Sequence, residues 1–340
     1  MEQRQYVGID LHRRRSVIVR VDAAGEVVGE ARIDNEPLAL AAEVAKAGSA
    51  PEVAIEATVG WYWAADVLEE LGARVHLAHP LAIGAFENRR VKNDRIDARL
   101  LADLLRMGRL PEAWIAPKPI RELRELVRYR HKLVDDRSGL KAQVQSVLAK
   151  EGVHLPLSYL WGPNGAALLD AVALPDAYCI RVESLRDLIE VYEREVAMLD
   201  RLIARRLEGD AGYRAIQAIP GVGPVLAAVF VAEIGDAGRF ARPAQLCSWA
   251  GLTPRHRESD TKVRRGRITK QGSALLRWAA VEAAAMPKSN AWLKADKRRI
   301  AERRGRKVAT VAMARKILTL VFYGLRDGHI RCLVPAAEAS

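Results

Sequence analysis

Short apolar runs closed by single acidic residues mark the first third of the chain, and longer periods of three and four take over after it. Tyr6-Val7-Gly8-Ile9 is a compact apolar run that ends at Asp10. Ser16 to Val21 and Glu26 to Ile33 read as two more strands, joined by the turn-like Asp22-Ala23-Ala24-Gly25. Leu38 to Ala47 reads as a helix stopping near Gly48, and Val53-Ala54-Ile55 as a buried strand closed by Glu56. A helix from Trp61 to Leu71, a strand from Arg74 to Ala78 and a helix carrying Asp94 and Asp97 follow. After Pro117 and Pro119, Arg121 to Lys150 predicts a long charged helix and Ala177 to Glu208 a second. In the latter, Leu185, Ile189, Tyr192, Val196, Leu199 and Ile203 alternate spacings of four and three, the pattern of a coiled-coil seam. We expect this arm to dimerise, the alternative being a helical hairpin within one chain. Arg121, Arg124, Arg128, Arg130, Lys132, Arg137 and Lys141 would give it a basic side for a nucleic-acid backbone.

Three strands followed by helix, strand, helix, strand, helix predict a ribonuclease-H-like α/β domain over residues 1–115, an α/β plus α protein overall. In such a sheet the strands ending at Asp10 and Glu56 are adjacent and parallel, so both acids emerge at one end. Asp94 and Asp97, three apart on a helix, share a face. Four carboxylates at one point favour a hard cation such as Mg²⁺ or Mn²⁺, which suits phosphodiester chemistry. Taken alone, Asp94 and Asp97 also fit a solvated helix face, with Arg90, Lys92, Arg95 and Arg99 as neighbours. An actin-like or sugar-kinase ATPase also opens with strand and Asp, but needs a Gly-rich phosphate hairpin where this chain has Leu11-His12-Arg13-Arg14-Arg15. We read His12 as an exposed loop residue and Trp61-Tyr62-Trp63 as core packing.

The arm spans 116–210, and a third region, 211–325, precedes an uninformative tail, 326–340. Ile219-Pro220-Gly221-Val222-Gly223-Pro224 ahead of an Ala/Val-rich helix has the form of a helix-hairpin-helix, with Gly221 and Gly223 letting backbone amides face a phosphate. A packing turn between two helices gives the same pattern. Past the compact helix of Trp249, a polar basic loop is expected, carrying Arg255, Arg257, Ser259, Lys262, Arg264, Arg265, Arg267 and Lys270. Ser259 among those cations is either a nucleophile or an ordinary loop serine. Ser273 reads as the N-cap of a helix over 274–285. The helix 308–325, with Val311, Ile317, Leu318 and Val321, is expected to close the core.

Charge sharpens this picture. The 340 residues carry 54 Lys/Arg against 42 Asp/Glu, a net +12 with pI near 9.8. Between Arg255 and Lys316 alone stand 19 basic against 5 acidic residues, so the C-terminal third carries the footprint of a polyanion partner. Half the residues are hydrophobic, which excludes a disordered chain. Cys179, Cys247 and Cys332 lack metal-ligand spacing and fit a reducing cytoplasm, and no apolar run reaches membrane-spanning length. We expect no signal peptide and no membrane partner.

Gly8-Ile9-Asp10, Ile55-Glu56-Ala57-Thr58, Lys92-Asn93-Asp94-Arg95-Ile96-Asp97-Ala98, Ile219-Pro220-Gly221-Val222-Gly223 and Gly251-Leu252-Thr253-Pro254-Arg255 together resemble the DEDD transposases of bridge-RNA-guided insertion sequences, over almost the whole chain. The resemblance implies a ribonuclease-H/RuvC-like nuclease domain using Asp10, Glu56, Asp94 and Asp97 with a divalent metal. It also implies a C-terminal nucleophile at Ser259 that links covalently to cleaved DNA. This chain has Asp260 where a glycine is common in that family. Implied partners are a structured element-encoded RNA pairing with donor and target DNA, and further copies of the chain as dimer and tetramer. The acids of one protomer would meet the serine of another. Arg95 and the C-terminal cations would bind backbone and shape. A metal-dependent junction endonuclease using water, or a non-catalytic nucleic-acid scaffold, are the alternative readings.

Overall fold

The computed structural model describes residues 4–58, 60–84, 93–155, 160–162, 164–260, 262–285 and 291–333. Arg90, Lys92, Pro156, Pro163 and the end of the tail lie outside the described residues, as do the side chains of Arg257, Lys262 and Arg265. Two compact units divide the chain, Met1–Ala116 and Pro117–Ser340.

The first unit is a six-stranded mixed sheet in the order β3-β2-β1-β4-β5-β6. Its strands are β1 Tyr6–Leu11, β2 Arg15–Val21, β3 Val27–Asp34, β4 Glu52–Glu56, β5 Arg74–Ala78 and β6 Glu112–Ala113. β1–β2–β3 is an antiparallel meander, β1–β4 and β4–β5 are parallel, and β6 returns antiparallel. The order is consistent with a ribonuclease-H-like domain. The strands β1 and β4 are buried on both faces, as parallel central strands must be. Val7, Ile9, Val53 and Ile55 point to one side, where helices α1 Pro37–Ala45 and α2 Trp61–Glu70 supply Leu40, Val44, Ala64 and Leu68. Trp61 and Trp63 pack on that core, in line with the packing role expected of them. A short helix, α3 Pro80–Ile83, precedes α4 Asp94–Arg106, which covers the opposite face.

The second unit is helical. α5 Lys118–Lys150 and α7 Asp176–Leu207, with the short α6 Gly165–Asp170 between them, form an antiparallel pair. Its direction follows from three cross-links: Arg206–Glu122, Arg130–Asp200 and Lys141–Glu193. The predicted seam is buried, but by α5 of the same chain: Val196 and Leu199 meet Leu133, and Leu185 and Ile189 meet Val144, Val147 and Leu148. The seam is therefore occupied within the hairpin and is not left open for a second copy. The basic side of α5 is also spent internally. Arg130 forks onto Asp200 at 2.8 and 3.1 Å, Lys141 reaches Glu193 at 2.9 Å, and Arg121 is buried. Sequence spacing along α5 cannot reveal these partners, because they come from other helices.

Helices α8 Ala211–Gln217, α9 Pro224–Ile234, α10 Pro243–Trp249, α11 Ala274–Ala285, α12 Ala291–Arg304 and α13 Arg306–Asp327 complete this unit. Their core gathers Phe230, Leu246, Ala279, Ile317, Leu318, Val321 and Phe322. Among the described residues, α13 alone is long and apolar enough to cross a membrane. Arg315 and Lys316 interrupt its apolar run, and its apolar face is buried against α8, α10, α11 and α12. The expected basic loop is instead largely a hairpin, β7 Pro254–Ser259 with β8 Lys262–Ile268. Most of its residues are polar, so no apolar alternation announces the strands.

Candidate active site

Alternation along β1 decides where the site forms. Tyr6, Gly8 and Asp10 share one face of the strand and Val7, Ile9 and Leu11 the other. The even face is the one that α4 covers, through Ala98, Leu101, Ala102 and Leu105. A Cβ on Gly8 would lie 1.9 Å from the Ala98 carbonyl oxygen and 2.6 Å from the Ala102 nitrogen. Only glycine lets the helix backbone come this close to the strand. The Asn93 side chain starts α4 by accepting from the Arg95 amide at 3.0 Å. That places Asp94 and Asp97 in the first turn, where the helix dipole favours negative charge.

The result is a cluster at the end of β1. Asp10, 8% exposed, and Asp94 each offer a carboxylate oxygen to one point, and His12 adds a ring nitrogen; the three ligand atoms lie within 4.8 Å of one another. His12 Nε2 stands 3.1 Å from Asp10 Oδ2 and 3.4 Å from Asp94 Oδ1. Arg32 approaches the other oxygen of Asp94 at 3.9 Å. Burial pushes the Asp10 carboxyl above its usual range; His12 opposes this, and Asp94 and Asp97 add to it. Asp97 thus shares the electrostatics of the site, although its carboxylate stands outside the three-residue group. Glu56 follows Ile55, which pairs with Ile9, and shares with Ala54 the face of β4 turned to α4. It lies beside Asp10 in register but also outside that group.

His12 is exposed, as expected, yet its ring is held against both acids, which the sequence reading missed. The turn that carries it is clamped by Asn35. Its side-chain amide donates to the His12 carbonyl at 2.6 Å, its backbone amide donates to the Arg14 carbonyl at 2.9 Å, and its side-chain oxygen accepts from the buried Ser16 hydroxyl at 2.6 Å. An acid, a histidine two residues on, and Asp94 downstream was the available signal. The donor set of carboxylates plus one imidazole fits a small divalent cation, with the nitrogen better suited to Mn²⁺ than to Mg²⁺. Arg95, expected to meet nucleic acid, donates to Glu30 of β3 at 2.7 Å while staying largely exposed.

In the second unit, Ser259 is the last residue of β7, exposed at the hairpin tip and paired in register with Lys262. Arg257 pairs with Arg264, so positions 257, 259, 262 and 264 fall on one side of the hairpin. Arg255, Arg264, Arg267 and Lys270 are exposed. Asp260 turns the chain at φ +52°, the left-handed region that glycine enters freely and Asp tolerates. Ser273 is the N-cap that its position suggests: its hydroxyl accepts from the Leu276 amide at 3.1 Å. Gly221, at φ +91°, and Gly223 lie in the 218–223 turn between α8 and α9, with Gly223 exposed at the start of α9.

Two family models match the chain: one described as a transposase of the DEDD type of IS110, over residues 7–151, and one described as the transposase IS116/IS110/IS902 family, over residues 213–298. Among curated proteins, a probable family 20 transposase of Pseudomonas aeruginosa is 29% identical over 75% of this chain and 78% of its own length. The transposase for insertion sequence element IS1111A of Coxiella burnetii is 25% identical over 98% of this chain and 93% of its own. The first match contains the whole acid cluster and the second contains Ser259 and its hairpin, so the chain belongs to the IS110/IS116/IS902 family of transposases.

Proposed function

We propose that this protein cuts and exchanges DNA strands for an insertion sequence, using the cluster of Asp10, Glu56, Asp94 and Asp97 to hold a divalent cation and Ser259 as nucleophile. The observation that carries this reading is the convergence of Asp10 and Asp94, 84 positions apart, on one point beside a histidine. A cation bound there would neutralise charge on the scissile phosphate and draw the four acids together. The chain's own residues supply the rest. Asp10, buried among like charges, favours a cation as neighbour. Ser259 Oγ bonds to phosphorus as the bond to the departing sugar oxygen breaks; the hydroxyl loses its proton and the departing oxygen gains one. The exposed Arg255, Arg264 and Arg267 stabilise the added charge. Exchange of the phosphoserine-linked strand then joins donor to target.

The helix–turn–helix of α8 and α9, with Gly221 and Gly223 in the turn, supports a helix-hairpin-helix that holds DNA backbone. Sequence choice we assign to a structured RNA encoded by the element, with the protein binding backbone and shape. Leu188, Val191, Met198 and Leu202 form a part-exposed stripe on α7, at spacings of three, seven and four, beside the face buried against α5. That stripe supports pairing of two copies, which lets the acids of one act with the serine of the other.

The test is adduct trapping. Wild-type protein, incubated with element-end DNA, its RNA and Mg²⁺ or Mn²⁺, should give a denaturation-resistant protein–DNA species. Ser259→Ala should abolish it while RNA binding persists, and Asp97→Asn should abolish cleavage. Cleavage without any adduct would select the junction-endonuclease reading with water as nucleophile. Recombination that survives the acid-to-amide variants would leave only a scaffold.

A further inference from the structure

The acid cluster opens onto a groove that nothing above assigns. It is lined by His12, Arg13, Arg14, Arg15, Arg32 and Asp94, with Val17 and Asp34, and encloses about 940 Å³. His12 and Asp94 belong to both, so the groove and the acids are one continuous surface. Four guanidiniums face two carboxylates along it. Arg15 is tied to Asp34 at 3.0 Å, and Arg32 leans toward Asp94. Among the described residues, Arg13 and Arg14 are exposed and make no side-chain ion pair, so their charge is available to a ligand. The turn that presents them is fixed by the three Asn35 hydrogen bonds and the buried Ser16.

We propose that this groove seats the backbone of the DNA strand being cut, with Arg13 and Arg14 binding phosphates next to the one held at Asp10 and Asp94. The inference rests on the nuclease reading of the acid cluster and adds the path of the substrate strand. An open, cationic, shallow channel suits a polyanion passing through, whereas small-molecule sites are enclosed and mostly apolar. The clamp on the turn matters because phosphate contacts fix register: a strand held at Arg13 and Arg14 has its next phosphate delivered to the acids. Arg13 and Arg14 are positioning residues, and the chemistry stays with the acids.

Arginine footprinting of the full-length chain tests this. The protein is treated with phenylglyoxal in EDTA, alone or saturated with single-stranded DNA of mixed sequence, and modified arginines are read by mass spectrometry. Arg13 and Arg14 should become protected. The Arg13→Ala/Arg14→Ala variant, checked for an unchanged melting temperature, should bind the same DNA several-fold more weakly. Its slope of log affinity against log salt should be shallower by about 1.4, the value for two lost single-strand phosphate contacts. Arg13 and Arg14 reacting equally with and without DNA, while other arginines are protected, would overturn the proposal. So would protection by an RNA of the same sequence but not by DNA. Because EDTA prevents metal-dependent cleavage, the footprint stands or falls separately from the adduct assay.

Discussion

Arg128 grips Glu233 through two parallel hydrogen bonds, Nε to Oε1 at 2.8 Å and Nη2 to Oε2 at 3.0 Å, and so joins the first long helix of the arm to the end of α9. One turn earlier, Arg124 donates to the carbonyls of Ala232 and Glu233, at 2.8 and 3.0 Å, covering unpaired groups at that helix end. Glu233 is 2% exposed, and Arg128 about half exposed. Burial alone would raise the Glu233 carboxyl, but the hydrogen bonds and charge of Arg128, with Ser273 and Arg124, outweigh it and hold the group below its ordinary 4.5. A depressed carboxyl contributes stability that is present above 4.5 and lost as pH falls through its folded value. Arg128→Ala should therefore destabilise the second unit by about 1–3 kcal/mol at neutral pH, solvent screening of the exposed guanidinium keeping the loss moderate. Denaturant melts should show the gap between variant and wild type closing below pH 4.5.

Ser273 adds to the same electrostatic balance, and its capping role separates the two serines of the C-terminal region. Its hydroxyl is committed to the Leu276 amide, whereas Ser259 stands exposed at a hairpin tip. Ser273→Ala should lower stability by about 0.5–2 kcal/mol, the usual cost of a lost helix cap, and leave adduct formation intact below the melting temperature. Ser259→Ala should do the reverse. Thermal melts and adduct trapping on both variants check the assignment, and an adduct lost in Ser273→Ala but kept in Ser259→Ala would exchange the roles.

What the sequence disclosed, and what it hid, follows the range of the interactions involved. The centre of the sheet is readable because β1 and β4 are apolar runs closed by Asp10 and Glu56, whereas the two-residue β6 carries no such pattern; Asp94 and Asp97 are readable because helical spacing is local. His12 was not, since its place between Asp10 and Asp94 is set by Asn35, which reaches back across the meander. The basic residues of α5 looked like a nucleic-acid surface because their partners, Glu233, Asp200 and Glu193, lie about 50 to 105 positions away. The β7–β8 hairpin was read as a loop because most of its residues are polar, leaving no period of two to detect. The periodic residues of α7 are buried, but periodicity cannot tell whether the helix that covers them comes from the same chain.

That last point makes the second stripe of α7 the discriminating surface. Leu188, Val191, Met198 and Leu202 are between 37 and 45% exposed. Paired copies would bury the part of these four side chains still exposed, worth about 0.6–1.3 kcal/mol each. Leu188→Glu with Met198→Glu should shift the protein toward monomer in light scattering while the internal seam, and hence helicity, is unchanged. An unaltered mass would move the pairing surface elsewhere and remove the role proposed for this stripe.

Gly8 offers the sharpest test of how the fold makes the site. The strand and α4 are in backbone contact there, and a methyl group would meet main-chain atoms of Ala98 and Ala102, which cannot rotate away as a side chain could. Relief requires α4 to rise from the sheet, uncovering Ala98 and Ala102, both fully buried. Overpacking of this kind costs about 1–3 kcal/mol where the surroundings can shift, and more where they cannot. The same movement separates Asp94 and Asp97 from Asp10, because the first two ride on α4 while Asp10 lies on the face of β1 that Gly8 shares. Gly8→Ala should thus lose divalent-cation binding, followed as metal-induced thermal stabilisation, by a larger factor than its loss of stability predicts. Gly25→Ala, a glycine substitution at the β2–β3 turn, serves as control: it should cost stability without a matching loss of cation affinity. Equal cation binding by Gly8→Ala and wild type would mean that the approach of α4 to β1 does not assemble the site.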